Sequence, residues 1–259
     1  MIDSNTILKG TFVAHVEHHE VLDSTQFRAR ALAEGSRDSA SLPALVVADR
    51  QTAGRGRAEN RWWTGEGSLA FSLLVDPEQF GFARRAVPRL SLAVGVALVD
   101  ALAARLTGCP LGLHWPNDVY VGPRKLAGIL VEVLPDGQHI IGVGLNSNNR
   151  RADAPPALQD SLTTLYDLTG QQHDHTRLLL AILENIEAAL RQLGEPVETL
   201  GQRFDLLCLQ RGELLTVYQG TQVITGRCEG IADDGALLLD TPQGRLQILS
   251  GTLRKSDNW

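Results

Sequence analysis

Arginines and glycines alternate in the segment Asp49–Trp63, which reads DRQTAGRGRAENRWW. Gly54 and Gly56 are each followed by an arginine, Arg55 and Arg57. Because glycine has no Cβ, backbone N–H groups and guanidinium forks can approach an anion closely in such a loop. The pattern predicts a site for a phosphate or a carboxylate, and a solvated turn is the alternative interpretation.

A second chemically informative region lies downstream, in His114–Asp118 (HWPND) and Arg124–Glu132 (RKLAGILVE). Together with the arginine loop, these segments resemble the biotin protein ligase family, whose members carry a GRGR loop ending in Trp, a (K/R)WPND turn and a KLAGIL(V)E strand in this order. The likeness extends from about Val21 to Lys255. It implies an enzyme that converts biotin and ATP to biotinyl-5′-adenylate. The biotinyl group would then pass to one lysine of the biotin carboxyl carrier protein of acetyl-CoA carboxylase.

The resemblance assigns the reaction to cationic residues. An acid is activated when its carboxylate attacks the α-phosphate of ATP, so two anions must meet, and fixed cations together with Mg²⁺ reduce their repulsion. Lys125 matches the family's essential lysine and is expected to bridge the carboxylate and the α-phosphate. Arg55 and Arg57 are expected to hold the same two groups, and Asp118 is the candidate Mg²⁺ ligand.

The resemblance also implies two sets of substrate contacts. The expected biotin-binding residues are Ser24, Thr25, Gln51, Gly54, Arg55, Arg57, Lys125, Gly128 and Gly142. The expected ATP-binding residues are Arg57, Trp62, Asp118 and Asn146. In this assignment the hydroxyls of the LDST turn bind the ureido ring, Trp62 stacks on adenine and Asn146 reads the adenine edge.

Each of these residues also has a purely structural interpretation. Ser24 or Thr25 could cap the helix that follows, Trp62 could pack in the core, and Asp118 could cap a turn. Gly142-Val-Gly144 could reflect tight packing of the sheet.

Three positions depart from the family pattern. Glu59 and Asn60 stand where Gly and Arg are common, so a phosphate contact is either missing or taken over by Arg61. His114 replaces the usual basic residue before Trp115.

Hydrophobic periodicity predicts a mixed α+β fold. Strands are expected at about 44–48, 68–75, 111–115, 119–121, 126–133 and 139–145, and helices at about 25–34, 87–106, 175–193 and up to 209. Residues 1–22 are expected to be a polar lead-in strand, and residues 146–160 a loop that closes over a ligand. Strands at about 214–218, 222–229, 236–240 and 245–249 predict a small five-stranded barrel. The resemblance implies a class II synthetase-like ligase domain over residues 1–209 and an SH3-like domain over residues 210–259.

Composition narrows the function classes. The net charge of −6 argues against a nucleic-acid surface, which needs clustered Lys and Arg. The three cysteines lack CxxC spacing, so neither a zinc site nor a disulfide framework is indicated, and no long apolar run is present. A cytoplasmic protein is therefore expected. His15, His18 and His19 lack a matched ligand set, which makes a metal site there a poor alternative to a strand.

Three other functions compete with a biotin ligase for this sequence. A bifunctional repressor would need a winged helix-turn-helix, and only 22 residues precede Asp23, so a monofunctional ligase is expected. A lipoate ligase would share the fold and the adenylation chemistry, but the residues of the GRGR and KLAGIL motifs favour biotin. A nucleotide-binding module without catalysis would not need Lys125. The expected partners are biotin, ATP, Mg²⁺ and the carrier protein, and a homodimer is among the assemblies that the resemblance allows. No base for the acceptor lysine is evident.

Overall fold

The computed structural model describes residues 2–35, 42–82, 87–194 and 198–254. Its helices are α1 Ser4–Gly10, α2 Thr25–Gly35, α3 Val87–Ala103, α4 Pro156–Gln159, α5 Leu165–Thr169, α6 His175–Leu193 and α7 Glu198–Leu206. The first seven strands are β1 His15–Leu22, β2 Ala44–Gln51, β3 Leu69–Val75, β4 Leu111–His114, β5 Asp118–Val121, β6 Arg124–Val133 and β7 His139–Leu145. The remaining strands are β8 Leu214–Gln219, β9 Gln222–Ile231, β10 Leu237–Thr241, β11 Gly244–Ile248 and β12 Thr252–Arg254. None of the helices in these ranges combines the length and the hydrophobicity that a membrane crossing requires.

The large sheet has the strand order β1-β2-β3-β7-β6-β5-β4. Strands β1 and β2 are parallel, and the other neighbours are antiparallel. A parallel pair needs a crossover connection, and α2 lies in this one. The expected mixed α+β class is confirmed.

Alternation along the strands gives the large sheet two different faces. Leu45 and Val47 of β2 belong to the main core, which also contains the buried sides of α3 and α6. Val46, one residue away, belongs to a smaller cluster with Ala29 of α2. Side chains of a strand point to opposite faces in turn, so the apolar run of β2 supplies both clusters. The prediction that the apolar stripe of α3 packs on the sheet is confirmed, and the face that α2 only partly covers carries the site described below.

The N-terminal segment corrects a sequence prediction. Strand β1 was expected, but α1 precedes it, so the prediction of a lead-in strand over the whole of residues 1–22 is wrong. Oδ1 of Asp3 accepts hydrogen bonds from the backbone N–H groups of Asn5 and Thr6, which caps α1. An aspartate that caps a short helix was the missed signal.

The small sheet is five-stranded and antiparallel, with the order β11-β10-β9-β8-β12. Four of its strands were located from the sequence, and β12, which pairs with β8, completes the five that were expected. Before the first strand of this sheet, the backbone of Cys208 forms an isolated β-bridge with the backbone of Leu113 in β4. The exact boundary between residues 209 and 210 stays a prediction, and Lys255 lies outside the described residues.

Candidate active site

The arginine loop folds as a tight hairpin over residues 54–62, here called the arginine hairpin. The N–H of Trp62 donates to the carbonyl of Gly54 at 2.9 Å, and that of Gly56 donates to the carbonyl of Asn60 at 2.8 Å. A Cβ on Gly54 would lie 2.6 Å from the carbonyl oxygen of Trp62. The glycine is therefore required by the backbone of the hairpin itself.

The arginine hairpin lies over a cavity of about 430 Å³. Residues from the start of α2, from β3, β5, β6 and β7, and from the second domain complete its wall. Ten of the predicted site residues line it, namely Ser24, Thr25, Gln51, Arg55, Arg57, Trp62, Asp118, Lys125, Gly128 and Gly142.

Two predicted residues are not among those that line the cavity. Gly54 faces the carbonyl of Trp62 instead. Asn146 is buried, and its side-chain oxygen accepts a hydrogen bond from Nδ2 of Asn149 at 3.2 Å. Their contacts with a substrate stay predictions.

Lys125 and Asp118 face each other inside the cavity. Nζ of Lys125 lies 2.7 Å from Oδ1 of Asp118, a separation that makes an ion pair although the angles are not those of a directed hydrogen bond. The same Nζ lies 5.5 Å from the ring centroid of Trp62. The backbone of Lys125 is fixed by a bond from its N–H to the carbonyl of Ser161 and by one from the N–H of Thr163 to its own carbonyl, both 2.9 Å.

Arg57 connects the arginine hairpin to two other parts of the molecule. Its Nη1 donates to Oδ1 of Asn117 at 3.3 Å, and its Nη2 donates to the carbonyl of Gly251 at 3.2 Å. Burial lowers the pKa of the guanidinium, and the nearby charge of Asp118 opposes that shift. An arginine remains charged at neutral pH under such a shift, so Arg57 places a fixed positive charge in the cavity.

Arg55 is oriented differently from Arg57. Its Nη1 donates to Oε1 of Glu132 at 2.8 Å, and its guanidinium carbon lies 4.9 Å from the ring centroid of Phe27. The side chain lines the cavity while its charge is paired with a carboxylate.

Trp62 covers a part of the sheet that carries no side chains. Gly128 and Gly144 pair directly across β6 and β7. A Cβ on Gly144 would lie 2.3 Å from Cε2 of Trp62, and one on Gly128 would lie 3.0 Å from Cζ3. The indole is half-buried and lines the cavity, with Nε1 buried and without a hydrogen-bond partner among the described residues. Glycines at these two positions are thus what allows the ring to lie on the strands.

Hydroxyl and amide groups form a connected network at the opposite end of the cavity. Oε1 of Gln51 accepts from the N–H of Thr25 at 2.8 Å and from its hydroxyl at 3.2 Å. The hydroxyl of Ser72 lies 2.8 Å from Oγ1 of Thr25 and 3.0 Å from Oε1 of Gln26. These three contacts between side-chain oxygens involve only two hydroxyl hydrogens, one from Thr25 and one from Ser72. Oxygen lone pairs at this end therefore stay available to accept hydrogen bonds from N–H donors of a ligand.

The predicted capping role of the LDST turn is also visible. Oγ of Ser24 accepts from the N–H of Gln26 at 3.3 Å at the start of α2. Capping and ligand binding are therefore compatible roles for this turn.

Sequence reasoning missed several residues that line the cavity. Asn117 belongs to the HWPND motif and could have been predicted from the sequence. Gln26 and Ser72 have no such signal, because they come together only when α2 lies beside β3. Thr252 and Leu253 come from the second domain and had no local signal.

The residues that depart from the family pattern fall into two groups. Glu59 and Asn60 are exposed on the arginine hairpin, and the backbone of Asn60 closes its turn. His114 lies in the cavity wall and stacks on Tyr120, with ring centroids 4.2 Å apart. Burial, and secondarily Asp118, raise the pKa of Tyr120, so its hydroxyl stays protonated at neutral pH.

The described residues contain no group of three or more His, Cys, Asp or Glu side chains that could hold a metal ion. Asp118 is the acidic residue of the cavity wall. A single carboxylate suits Mg²⁺ that is held mainly by phosphate oxygens and water. The N-terminal histidines pair with carboxylates instead, since Nε2 of His18 lies 2.9 Å from Asp49 and Nε2 of His19 lies 3.0 Å from Glu17.

Comparisons with known proteins show what this chain is similar to. Residues 20–146 match the model of the biotin/lipoate A/B protein ligase family, and residues 215–252 match the biotin protein ligase C-terminal domain. The chain is 32% identical over 248 residues to the bifunctional ligase/repressor BirA of Bacillus subtilis, covering 92% of this chain and 73% of the relative. It is 34% identical over 209 residues to the biotin–[acetyl-CoA-carboxylase] ligase of Mycobacterium tuberculosis, covering 80% of this chain and 76% of the relative. Among solved structures, the biotin protein ligase of Aquifex aeolicus in complex with biotin and ATP superposes with a TM-score of 0.79 at 34% identity, covering 93% of this chain and 99% of that one.

Proposed function

The chain belongs to the biotin protein ligase family, and we propose that it activates biotin with ATP and transfers the biotinyl group to a carrier protein. The observation that carries this proposal is one cavity that joins Lys125 and Arg57 to a glycine floor under Trp62 and to the hydroxyl network at its other end. The cationic part suits two anions that must meet, and the hydroxyl end suits a neutral ring with N–H donors.

The first step joins a carboxylate to a phosphate. A carboxylate oxygen of biotin attacks the α-phosphorus of ATP, the bond to the β-phosphate oxygen breaks, and pyrophosphate leaves. We assign Lys125 to the bridging position between the two anions, because its ammonium is a compact charge on a flexible stem. Arg57, held by Asn117 and Gly251, adds a fixed guanidinium that offsets the negative charge of the adenylate.

The second step consumes the adenylate. The amine of the acceptor lysine attacks the carbonyl carbon of biotinyl-5′-AMP, the bond to the phosphate oxygen breaks, and AMP leaves. The amine must lose a proton, which we assign to solvent. The acceptor is proposed to be the lysine of the biotin carboxyl carrier protein of acetyl-CoA carboxylase, in line with the name of the M. tuberculosis relative.

We further propose Mg²⁺ as the metal that accompanies ATP, with Asp118 as its protein ligand. Bound there, the ion would neutralise phosphate charge. The carboxylate of Asp118 meanwhile orients the ammonium of Lys125 through the ion pair.

The proposal is tested by incubating the protein with biotin, ATP, Mg²⁺ and a biotin carboxyl carrier domain, and by measuring the mass added to the carrier. The expected result is an increase equal to one biotinyl group. Lipoate in place of biotin is the control, and modification with lipoate but not with biotin would overturn the choice of substrate. No modification with either would contradict the ligase function.

Two further expectations remain predictions. The three cysteines show no disulfide pattern, which favours a location in the cytoplasm. Localisation of a tagged protein tests this expectation. The expectation of a homodimer is tested by measuring the sedimentation of the purified chain with and without biotin.

A further inference from the structure

Glu132 lies beside the cavity and contacts two arginines. Its side chain is 14% exposed, and Glu132 is not among the residues that line the cavity. Oε1 accepts from Nη1 of Arg55 at 2.8 Å, and Oε2 accepts from Nη2 of Arg30 at 2.5 Å. One carboxylate thereby joins the arginine hairpin to α2.

The position of Glu132 follows from the alternation of β6. Gly128, Leu130 and Glu132 point to the same face of the sheet, because successive side chains of a strand alternate. Gly128 and Leu130 line the cavity, so Glu132 is the next residue of that row, just beyond the cavity edge. The same strand carries Lys125 at its other end.

Two contacts fix the guanidinium of Arg55 in different directions. Glu132 binds one edge, and Phe27 supports one face at 4.9 Å from its ring centroid. Phe27 itself is 43% exposed, so its ring is available for this contact at the rim. A planar guanidinium that is bound at an edge and stacked on a face loses most of its freedom to reorient.

The arginine hairpin therefore has two anchors. On one side Arg57 binds Asn117 and the carbonyl of Gly251. On the other side Arg55 binds Glu132. Within the part of the chain that the structure describes, the backbone hydrogen bonds of residues 54–62 are all made inside the hairpin.

We propose that Glu132 is a positioning residue that acts through Arg55 to hold the arginine hairpin closed over the cavity. In this assignment Arg55 serves chiefly as the tether of the hairpin, and Glu132 slows the escape of the bound adenylate. The proposal rests on the proposed function for its substrates, although the closure of the hairpin itself needs no substrate to be measured.

The test compares Glu132→Gln with wild type in three measurements. Glu132→Gln keeps the shape of the side chain and removes its charge, so it weakens both contacts with little change in packing. The KM for biotin in pyrophosphate exchange is expected to rise about tenfold while kcat changes less than about twofold, since the substitution does not touch the reacting atoms. Released adenylate, measured as biotin on bystander proteins, is expected to increase. Trypsin is expected to cut the hairpin at its arginines several-fold faster than in wild type.

Matched variants separate this route from general effects. Glu17→Gln is the control. It removes a carboxylate of β1 that binds Arg28 of α2 at 2.7 Å, away from the cavity, and it should leave all three measurements unchanged. In trypsin cleavage after Arg57 and Arg61, Arg55→Ala should reproduce Glu132→Gln, and the double variant should be cut no faster than either single one, because both changes break the same contact. Arg30→Ala should have a smaller effect, because it leaves the contact between Arg55 and Glu132 in place.

Several results would overturn the proposal. In a folded Glu132→Gln protein, unchanged KM, adenylate release and trypsin cleavage would do so. An additive double variant, or an effect of Arg30→Ala as large as that of Glu132→Gln, would exclude the route through Arg55. If wild type shows no pyrophosphate exchange, the proposed function fails, and the trypsin comparison still decides whether Glu132 holds the hairpin.

Discussion

The ammonium of Lys125 lies 2.7 Å from a carboxylate oxygen of Asp118 in the wall of the cavity. Both side chains are largely shielded from solvent, with exposed fractions of 29% and 17%. In the free protein the ammonium is thus already oriented by its partner. A carboxylate and a phosphate that enter the cavity would replace one anionic partner with others, so the cation is preorganised for the reaction.

Replacement of Lys125 by alanine tests this arrangement. Pyrophosphate exchange that depends on biotin should fall at least about a hundredfold, because the variant lacks the ammonium that offsets the repulsion of the two anions. Lys9→Ala, which removes an exposed lysine of α1, is the control. Near-normal exchange in a folded Lys125→Ala protein would refute the assigned role.

Replacement of Arg57 by glycine should release the adenylate. The variant loses the guanidinium that binds Asn117 and Gly251, so both a charge and one anchor of the arginine hairpin disappear. Biotin on bystander proteins, measured with labelled avidin, should increase. The control is Arg50→Ala, at an exposed arginine that does not line the cavity. A variant that labels only the carrier domain would count against this prediction.

Replacement of Gly144 by alanine should displace Trp62. The new Cβ would lie 2.3 Å from Cε2 of the indole, closer than real atoms approach, so the ring has to leave the strands. If Trp62 stacks on adenine, the KM for ATP should rise about tenfold while the KM for biotin changes less. Gly35→Ala, where a Cβ would meet no atom of the described residues within 4 Å, is the control. Equal effects on both substrates would argue against an adenine platform.

Trp115 should stabilise the contact between the two domains. It is 1% exposed, its indole N–H donates to the carbonyl of Gly235 at 3.0 Å, and its backbone N–H donates to Oε1 of Gln210 at 2.7 Å. Trp115→Phe leaves a buried carbonyl unpaired and a small cavity, so the free energy of unfolding should fall by about 2–3 kcal/mol. Urea denaturation measures this, with the half-buried Trp63→Phe as the comparison. A change of similar size in both variants would contradict a special role for Trp115.

The pair of Glu17 and Arg28 should make stability depend on acid pH. The hydrogen bonds from Arg28 lower the pKa of Glu17 to about 2 from the ordinary 4.5. Because the folded state has the lower pKa, the stabilisation is present above pH 4.5 and is lost as the pH falls towards 2. The pair is partly exposed, so its contribution is about 1 kcal/mol or less. Glu17→Gln should lower stability at pH 7 and have little effect near pH 2, and an equal effect at both values would exclude this origin.

The sequence alone determined the class of the fold and most of the predicted site residues' place in one cavity. Apolar periodicity located β7 and α6 within a residue, and ten of the predicted site residues line one cavity. Such signals are local, because a strand period, a helix period or a motif depends on neighbouring residues. Short apolar runs also indicated the second sheet.

Only the tertiary structure decided how charges and polar groups are paired. Arg55 and Arg57 look equivalent in the sequence, yet one binds Glu132 and the other binds Asn117 and Gly251. Thr252 and Leu253 reach the cavity from the second domain, and Ser72 meets Gln26 only because α2 crosses β3. These contacts join residues that are 46 or more positions apart. A periodic pattern or a motif depends on neighbouring residues, so it does not predict which distant residues meet.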